Sequence, residues 1–262
     1  VFDSGLGGLT VVRAMRAHCA NETIVYLGDT ARVPYGTRSP ETIIRYARAC
    51  GRMLAQHSIK TLVVACNTVS AVALDVLRVE LDVPVLGVIE PGARAAVHAT
   101  RSGRVGVIGT ASTMASGAYP RAVASHASTS EVFSVAAPLL VPLVEEGWLE
   151  GAVPTLVVER YLRELVGHDI DTLVLGCTHY PMLRPIIESV AKQLLGAHTS
   201  VVDSAEATAR ELAEFLRTRD LLAEQDSVGK LLLKVTDRPQ RFAEVAERFL
   251  GHAVGAVEVV DL

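Results

Sequence analysis

The 262-residue sequence is short of every feature that marks a specialised class of protein. Its four cysteines, at positions 19, 50, 66 and 177, are too sparse for a disulfide framework, so free thiols in a reducing, cytoplasmic setting are expected. Charge of one sign is not in excess. With 25 basic and 29 acidic residues the formal net charge is −4, which provides no basic footprint for nucleic acid or an anionic membrane surface. Long apolar runs are missing as well: Val135 to Val144, the longest, is interrupted by Pro138 and Pro142 and falls well short of the ~18 residues of a spanning helix. No basic-then-apolar leader precedes the first motif, and Val1-Phe2-Asp3 reads as the inside of a strand, so a few native residues are expected upstream. The 20 glycines and 11 prolines are scattered without period, and half the residues are hydrophobic. That composition excludes disorder and collagen-like repeats and calls for a packed core.

The apolar residues that are present fall in short β-rich runs separated by helical segments. Strands are predicted at Thr23–Leu27, Thr61–Ala65, Val83–Ile89, Arg104–Ile108, Val132–Ala136, Thr172–Leu175 and Thr199–Val202. Near-continuous Val, Leu and Ile without alternation indicates strands covered on both faces. Helix signals lie between them: Ser39-Pro40-Glu41 as cap, first-turn proline and acid, Pro181 ahead of Met182–Leu195, and the apolar spacing of Ala205–Arg217. Strand and helix alternating this often predicts a parallel, doubly wound α/β architecture.

An internal repeat refines that picture. Ile59-Lys60-Thr61-Leu62-Val63-Val64-Ala65-Cys66-Asn67-Thr68 aligns with Ile170-Asp171-Thr172-Leu173-Val174-Leu175-Gly176-Cys177-Thr178-His179, and Phe2-Asp3-Ser4 falls close to Ile108-Gly109-Thr110 at a similar offset. Two similar α/β domains are therefore expected, with a boundary near Glu90-Pro91-Gly92. The first would comprise residues 1–92 plus 205–262, its predicted strands Leu231–Thr236 and Val257–Val260 returning to complete it, and the second residues 93–204.

In open parallel sheets, ligands bind at the carboxyl ends of strands. Cys66 and Cys177 both stand there, followed by Asn67-Thr68 and Thr178-His179. If the two domains are related by a pseudo-twofold axis, the strand ends meet in one cleft and present one thiol from each side. Inverting a carbon stereocentre by proton transfer needs a base on one face and an acid on the other, and a symmetric thiol pair supplies both. Asp3-Ser4-Gly5-Leu6-Gly7-Gly8 reads as a glycine-rich turn entering a helix, and it departs from the nucleotide-binding fingerprints. His179, two residues past Cys177, would share its side of an extended segment. Asp29, Tyr35 and Gly36 occupy an irregular loop after another strand, and Glu145 lies at a turn. Cys19 and Cys50 sit in helical segments without a polar constellation. Only Lys60, Lys192, Lys230 and Lys234 are available to form a Schiff base with a pyridoxal cofactor, and none belongs to a motif at a strand end.

Phe2-Asp3-Ser4-Gly5-Leu6-Gly7-Gly8, Gly28-Asp29-Thr30 with Pro34-Tyr35-Gly36, Ala65-Cys66-Asn67-Thr68, Pro142-Leu143-Val144-Glu145 and Leu175-Gly176-Cys177-Thr178-His179-Tyr180-Pro181 together resemble the glutamate racemases of the aspartate/glutamate racemase superfamily. Val88-Ile89-Glu90-Pro91-Gly92 and Val202-Asp203-Ser204-Ala205 also fit, so the resemblance spans nearly the whole chain in order. It implies an enzyme without cofactor or metal, two α/β domains with the active site between them, and a role in supplying D-glutamate for bacterial peptidoglycan. It also implies Cys66 and Cys177 as the acid/base pair, with Asp3 assisting the first and His179 and Glu145 the second. Substrate contacts would come from Asp3, Ser4, Tyr35, Gly36, Asn67, Thr68, Thr178 and His179, with Thr110 and Thr113 as further hydroxyls and Asp29 in support. The implied partner is the small molecule glutamate, with neither nucleic acid nor membrane, and the resemblance leaves room for a homodimer. Three other readings stay open from the residues: an aspartate or other superfamily racemase, a thiol hydrolase with Cys177 as nucleophile and His179 as base, and a non-catalytic amino-acid-binding protein.

Overall fold

The computed structural model describes residues 1–224 and 228–262. The chain runs through β1 (Phe2–Asp3), α1 (Leu9–His18), β2 (Ile24–Gly28), a 3-10 turn (Tyr35–Thr37), α2 (Pro40–Ala55), β3 (Leu62–Val64), α3 (Asn67–Val72), α4 (Leu74–Glu80) and β4 (Val85–Gly87). It continues through α5 (Ile89–Ala99), β5 (Arg104–Gly109), α6 (Ala111–Ala115), α7 (Ala118–His126), β6 (Glu131–Ala136), α8 (Leu140–Glu145), α9 (Ala152–Leu162), a second 3-10 turn (Arg163–Leu165), β7 (Thr172–Gly176), a third 3-10 turn (Tyr180–Leu183), α10 (Arg184–Leu194) and β8 (Ser200–Asp203). The remaining segment forms α11 (Ser204–Thr218), β9 (Leu231–Val235), α12 (Pro239–Leu250) and β10 (Val257–Val259). Tertiary contacts divide the chain into two compact units, Val1–Val88 with Ala205–Leu262, and Ile89–Ser204. Among the described residues, no helix is long and apolar enough to cross a membrane.

The first unit is built on a six-stranded parallel sheet in the order β10-β9-β2-β1-β3-β4. Its central strands are apolar on both faces, and Phe2, Leu27, Leu62 and Val64 are buried with Ile43, Ala47 and Leu54 of α2. The α2 stripe follows from spacing, because Ile43, Ala47, Cys50 and Leu54 recur every three or four residues. Its start follows from chemistry. The Ser39 hydroxyl accepts a hydrogen bond from the Thr42 amide at 3.4 Å, Pro40 occupies the first turn where no N–H is needed, and Glu41 favours the helix N-terminus. Each large apolar side chain buried here contributes roughly 1.5–3 kcal/mol relative to exposure, so the stripe is what pins α2 to the sheet.

The second unit holds a four-stranded parallel sheet in the order β6-β5-β7-β8. The repeat seen in the sequence is a repeat of topology: β2-β1-β3-β4 and β6-β5-β7-β8 share one strand order, and β9 and β10 extend only the first sheet. In both, the chain moves from the first strand to one side and then crosses back to the other. The order therefore reverses between β1 and β3 in one unit and between β5 and β7 in the other. Such reversal points open a crevice past the strand carboxyl ends.

Most element ends, and the boundary between the units, differ from the sequence expectation by one to a few residues. The predicted strand at Val83–Ile89 ends at Gly87, and Ile89-Glu90-Pro91-Gly92 forms the first turn of α5 instead of a connection. Pro91 is tolerated there because amides of a first helical turn have no intrahelical acceptor. The segment predicted as one helix from Met182 is a 3-10 turn followed by α10, since Pro185 has no N–H to bond the Pro181 carbonyl and the helix restarts at Arg184. The helix predicted at Ala205–Arg217 is wider by one residue at each end.

Candidate active site

The glycine-rich turn of the first unit is shaped by its close contacts. Asp3, at the end of β1, is fully buried, and its Oδ2 accepts a hydrogen bond from the Gly5 amide at 2.9 Å. The Tyr26 hydroxyl of β2 donates to the Gly5 carbonyl at 2.8 Å and so ties the turn to the sheet. Gly8 must be glycine, because a Cβ there would lie 2.5 Å from the Cβ of Asp3. Beside β1, Phe2 pairs with Val64, and the Ala65 amide continues the ladder to the Phe2 carbonyl at 2.8 Å. Past that point the two chains present Ser4 and Cys66 together, with the Cys66 thiol donating to the Ser4 hydroxyl oxygen at 3.5 Å. Cys66 is also the N-cap of α3, and the next two residues, Asn67 and Thr68, are buried at the helix N-terminus. A thiol is thus held among hydroxyl and amide groups at the reversal point of the sheet.

Tyr35 and Gly36 lie in the 3-10 turn of the loop after β2. The Tyr35 hydroxyl donates to Asp29 Oδ2 and its ring is buried. Burial first, with the Asp29 carboxylate adding to it, pushes the Tyr35 phenol well up, and it remains a proton donor. Arg32 Nε donates to the same carboxylate oxygen at 2.6 Å, and its guanidinium lies over the Tyr46 ring at 4.6 Å. Arg32 also reaches the Cys50 sulfur at 3.7 Å, which corrects the expectation that Cys50 has no polar company. Burial pushes the Cys50 thiol up, with the Asp29 carboxylate adding to it, so this cysteine is a neutral packing group.

In the second unit, β5 and β7 run side by side to Gly109 and Gly176, and Cys177 follows directly. Gly176 permits this approach, since a Cβ there would stand 2.9 Å from the Ile108 carbonyl oxygen and 3.0 Å from the Tyr119 ring. Residues 177–179 do not continue as an extended segment. They turn, with the Tyr180 amide donating to the Cys177 carbonyl at 3.1 Å, and it is this turn that sets Cys177 Sγ 3.9 Å from His179 Nδ1. The other ring nitrogen, Nε2, lies 3.1 Å from Glu145 Oε1 at the end of α8. Burial would lower the basicity of His179, but hydrogen bonding to Cys177 and Glu145, together with their charge, raises its pKa to about 10. These two partners favour the charged form of the ring, and in that form one N–H would face the sulfur and the other the carboxylate. Cys177, Thr178 and His179 are all buried.

Thr110 and Thr113 meet each other first. The Thr110 hydroxyl caps α6 by accepting from the Thr113 amide at 3.3 Å, and the two hydroxyl oxygens are 2.8 Å apart. The first unit thus gathers Asp3, Ser4, Cys66, Asn67 and Thr68 at one strand end, with Asp29, Tyr35 and Gly36 in a neighbouring loop. The second gathers Cys177, Thr178, His179 and Glu145, with Thr110 and Thr113 after the adjacent strand. Sequence reasoning missed Arg32 and Thr236 as partners of Asp29. Arg32 had a weak signal, three residues past Asp29 in a loop; Thr236 is 207 residues away and had none.

The family model for Asp/Glu/Hydantoin racemase matches residues 8–212, and the chain belongs to that family. It is 49% identical over its whole length to the glutamate racemase of Chlorobaculum tepidum, covering 95% of that protein. It also matches the structure of a glutamate racemase isoform from Bacillus anthracis with a TM-score of 0.93 and 41% identity, covering all of this chain and 96% of the other. The glutamate racemase from Francisella tularensis, solved in complex with D-glutamate, matches with a TM-score of 0.91 and 34% identity over 99% of this chain and 96% of that one.

Proposed function

We propose that the chain is a cofactor-independent glutamate racemase that interconverts L- and D-glutamate by a two-thiol proton transfer at the α-carbon. In bacteria this reaction supplies D-glutamate for peptidoglycan. The observation that carries the reading is the repeated half-site: the same strand order delivers Cys66 beside Ser4 at one sheet reversal and Cys177 beside His179 at the other. One sulfur removes the α-proton as thiolate while the other, as thiol, returns a proton to the opposite face. The roles exchange in the reverse direction.

The α-proton is far less acidic than a thiol, and the site has to narrow that gap. Hydroxyl and amide groups of Ser4, Asn67, Thr68 and Thr178 hold the substrate α-carboxylate as negative charge builds on it. These donors are preorganised, being fixed by the strand ends and by α3, so they need no reorganisation when the charge develops. Asp3, next to Ser4 in sequence, assists on the Cys66 side. On the other side the His179 imidazolium, oriented by Glu145, offers Cys177 an N–H when the sulfur is charged. Its two carboxylate-side and sulfur-side contacts fix the ring so that the proton is presented along one direction.

One feature favours a second reading. Cys177, His179 and Glu145 form a connected series like that of a thiol hydrolase, which would leave Cys66 without a task. The deciding experiment is chiral chromatography of pure L-glutamate incubated with protein dialysed against chelator. Accumulation of D-glutamate to an equal mixture is expected. No D-glutamate, or activity that returns only with pyridoxal phosphate or a divalent metal, would overturn the proposal.

A further inference from the structure

The first sheet carries two strands that the second lacks, and the end of one of them reaches the loop that bears Tyr35 and Gly36. β9 runs parallel to β2 with Gly28 opposite Val235, so the residues just past both strands emerge side by side. Thr236 and Asp237 then bind the loop at five points. The Thr236 amide donates to the Gly28 carbonyl at 3.2 Å. Its hydroxyl donates to Asp29 Oδ1 at 2.9 Å and accepts from the Ala31 amide, also at 2.9 Å. The Thr30 hydroxyl donates to the Asp237 carbonyl at 2.6 Å and accepts from the Asp237 amide at 2.9 Å.

These contacts divide the Asp29 carboxylate into two halves. Oδ1 is held by Thr236, and Oδ2 receives the Tyr35 hydroxyl and Arg32 Nε. A fully buried carboxylate that loses one donor must find another by moving, and here moving means taking Tyr35 and Arg32 with it. Asp29 is thus a two-sided joint, with a strand end on one side and the Tyr35-Gly36 turn on the other. Among the described residues the second sheet has no such joint, because no strand pairs with the outer edge of β6.

We propose that Thr236 is a positioning residue for substrate binding, acting through Asp29 to hold the Tyr35-Gly36 turn, and that this is the task of the additional strands of the first unit. The inference rests on the reading that Tyr35 and Gly36 contact glutamate. It assigns a purpose to the C-terminal segment, which is otherwise remote in sequence from every motif.

The test compares Thr236→Val, which keeps the shape and removes both hydroxyl contacts, with Thr236→Ser, which keeps them. Racemisation is followed from both enantiomers, and hydrogen–deuterium exchange is followed at the amides of residues 31–38. For Thr236→Val we expect KM for L- and D-glutamate to rise together by about tenfold, the order of one hydrogen bond to a charged group, with kcat within twofold. Exchange at residues 31–38 rises in the same variant, and Thr236→Ser restores both measures. A Thr236→Val protein with lowered thermal stability but unchanged KM and unchanged exchange in the loop would overturn the proposal, as would a serine variant no better than valine. If the wild-type chain leaves both enantiomers untouched, the racemase reading falls instead. The exchange comparison then still decides whether Thr236 holds the loop.

Discussion

Replacing Glu145 with Gln removes one charge from the second half-site while leaving an acceptor oxygen in place, so its effect isolates electrostatics at His179. Oε1 lies 3.1 Å from His179 Nε2; the ring is buried, but the carboxylate side chain is 36% exposed, so water screens the pair. Unit charges at this separation attract by ~1 kcal/mol in bulk water and by several times that at an effective dielectric constant of ~20. With the exposed side discounted, we take about 1–2 kcal/mol, or roughly one pKa unit. His179, at about 10 in the intact site, should therefore titrate about one unit lower in the variant, still above its ordinary value of 6.5 because Cys177 continues to support it. A group whose pKa is raised on folding stabilises the fold fully below its unfolded pKa, and that support is lost as pH rises through the folded value. Glu145→Gln should accordingly be less stable than the wild type by about 1–2 kcal/mol near pH 6, and the deficit should close as pH passes 10. NMR titration of the histidine ring carbons, with His179→Asn for assignment, measures the first quantity, and urea denaturation across the same pH range measures the second. An unchanged His179 titration, or a stability deficit independent of pH, would refute the reasoning.

Cys66→Ala and Cys177→Ala should each abolish racemisation from either enantiomer, as measured by chiral chromatography, because a complete inversion uses both sulfurs. Loss in Cys177→Ala alone would favour the hydrolase reading. Asp3→Asn should slow the step that uses Cys66 and His179→Asn the step that uses Cys177, which steady-state isotope effects measured from each enantiomer will distinguish. Substrate preference should be strong for glutamate over aspartate, because donors set for a γ-carboxylate are left unpaired by the shorter acid. Comparison of kcat/KM for the two substrates checks this, and equal values would move the protein to an aspartate-specific reading.

What could be read from the sequence was the part governed by local chemistry. The strands announced themselves because parallel strands buried on both faces are continuous in Val, Leu and Ile, as in Leu62–Val64 and Thr172–Gly176. The two cysteines stood out because the repeat put them at the same place after similar strands. The turn at Cys177 was misjudged: strand alternation was assumed where the chain bends, and the approach of His179 to Cys177 comes from a tight turn instead. The role of the Tyr35 hydroxyl was also hidden, since nothing local says that it turns inward to Asp29. Contacts such as Thr236 with Asp29, or Glu145 with His179, depend on which strand and helix ends become neighbours, and that is decided by topology rather than by any short stretch of residues.

The central claim is that two sulfurs act on opposite faces of one α-carbon, and racemisation of L-glutamate in deuterated water tests it most directly. Early in the reaction, mass spectrometry of the separated enantiomers should find deuterium at the α-carbon of newly formed D-glutamate and little in the remaining L-glutamate. The acid on the far face has exchanged with solvent, whereas the base on the near face still holds the proton it removed. Equal early labelling of substrate and product would contradict the account and point to a single base serving both faces.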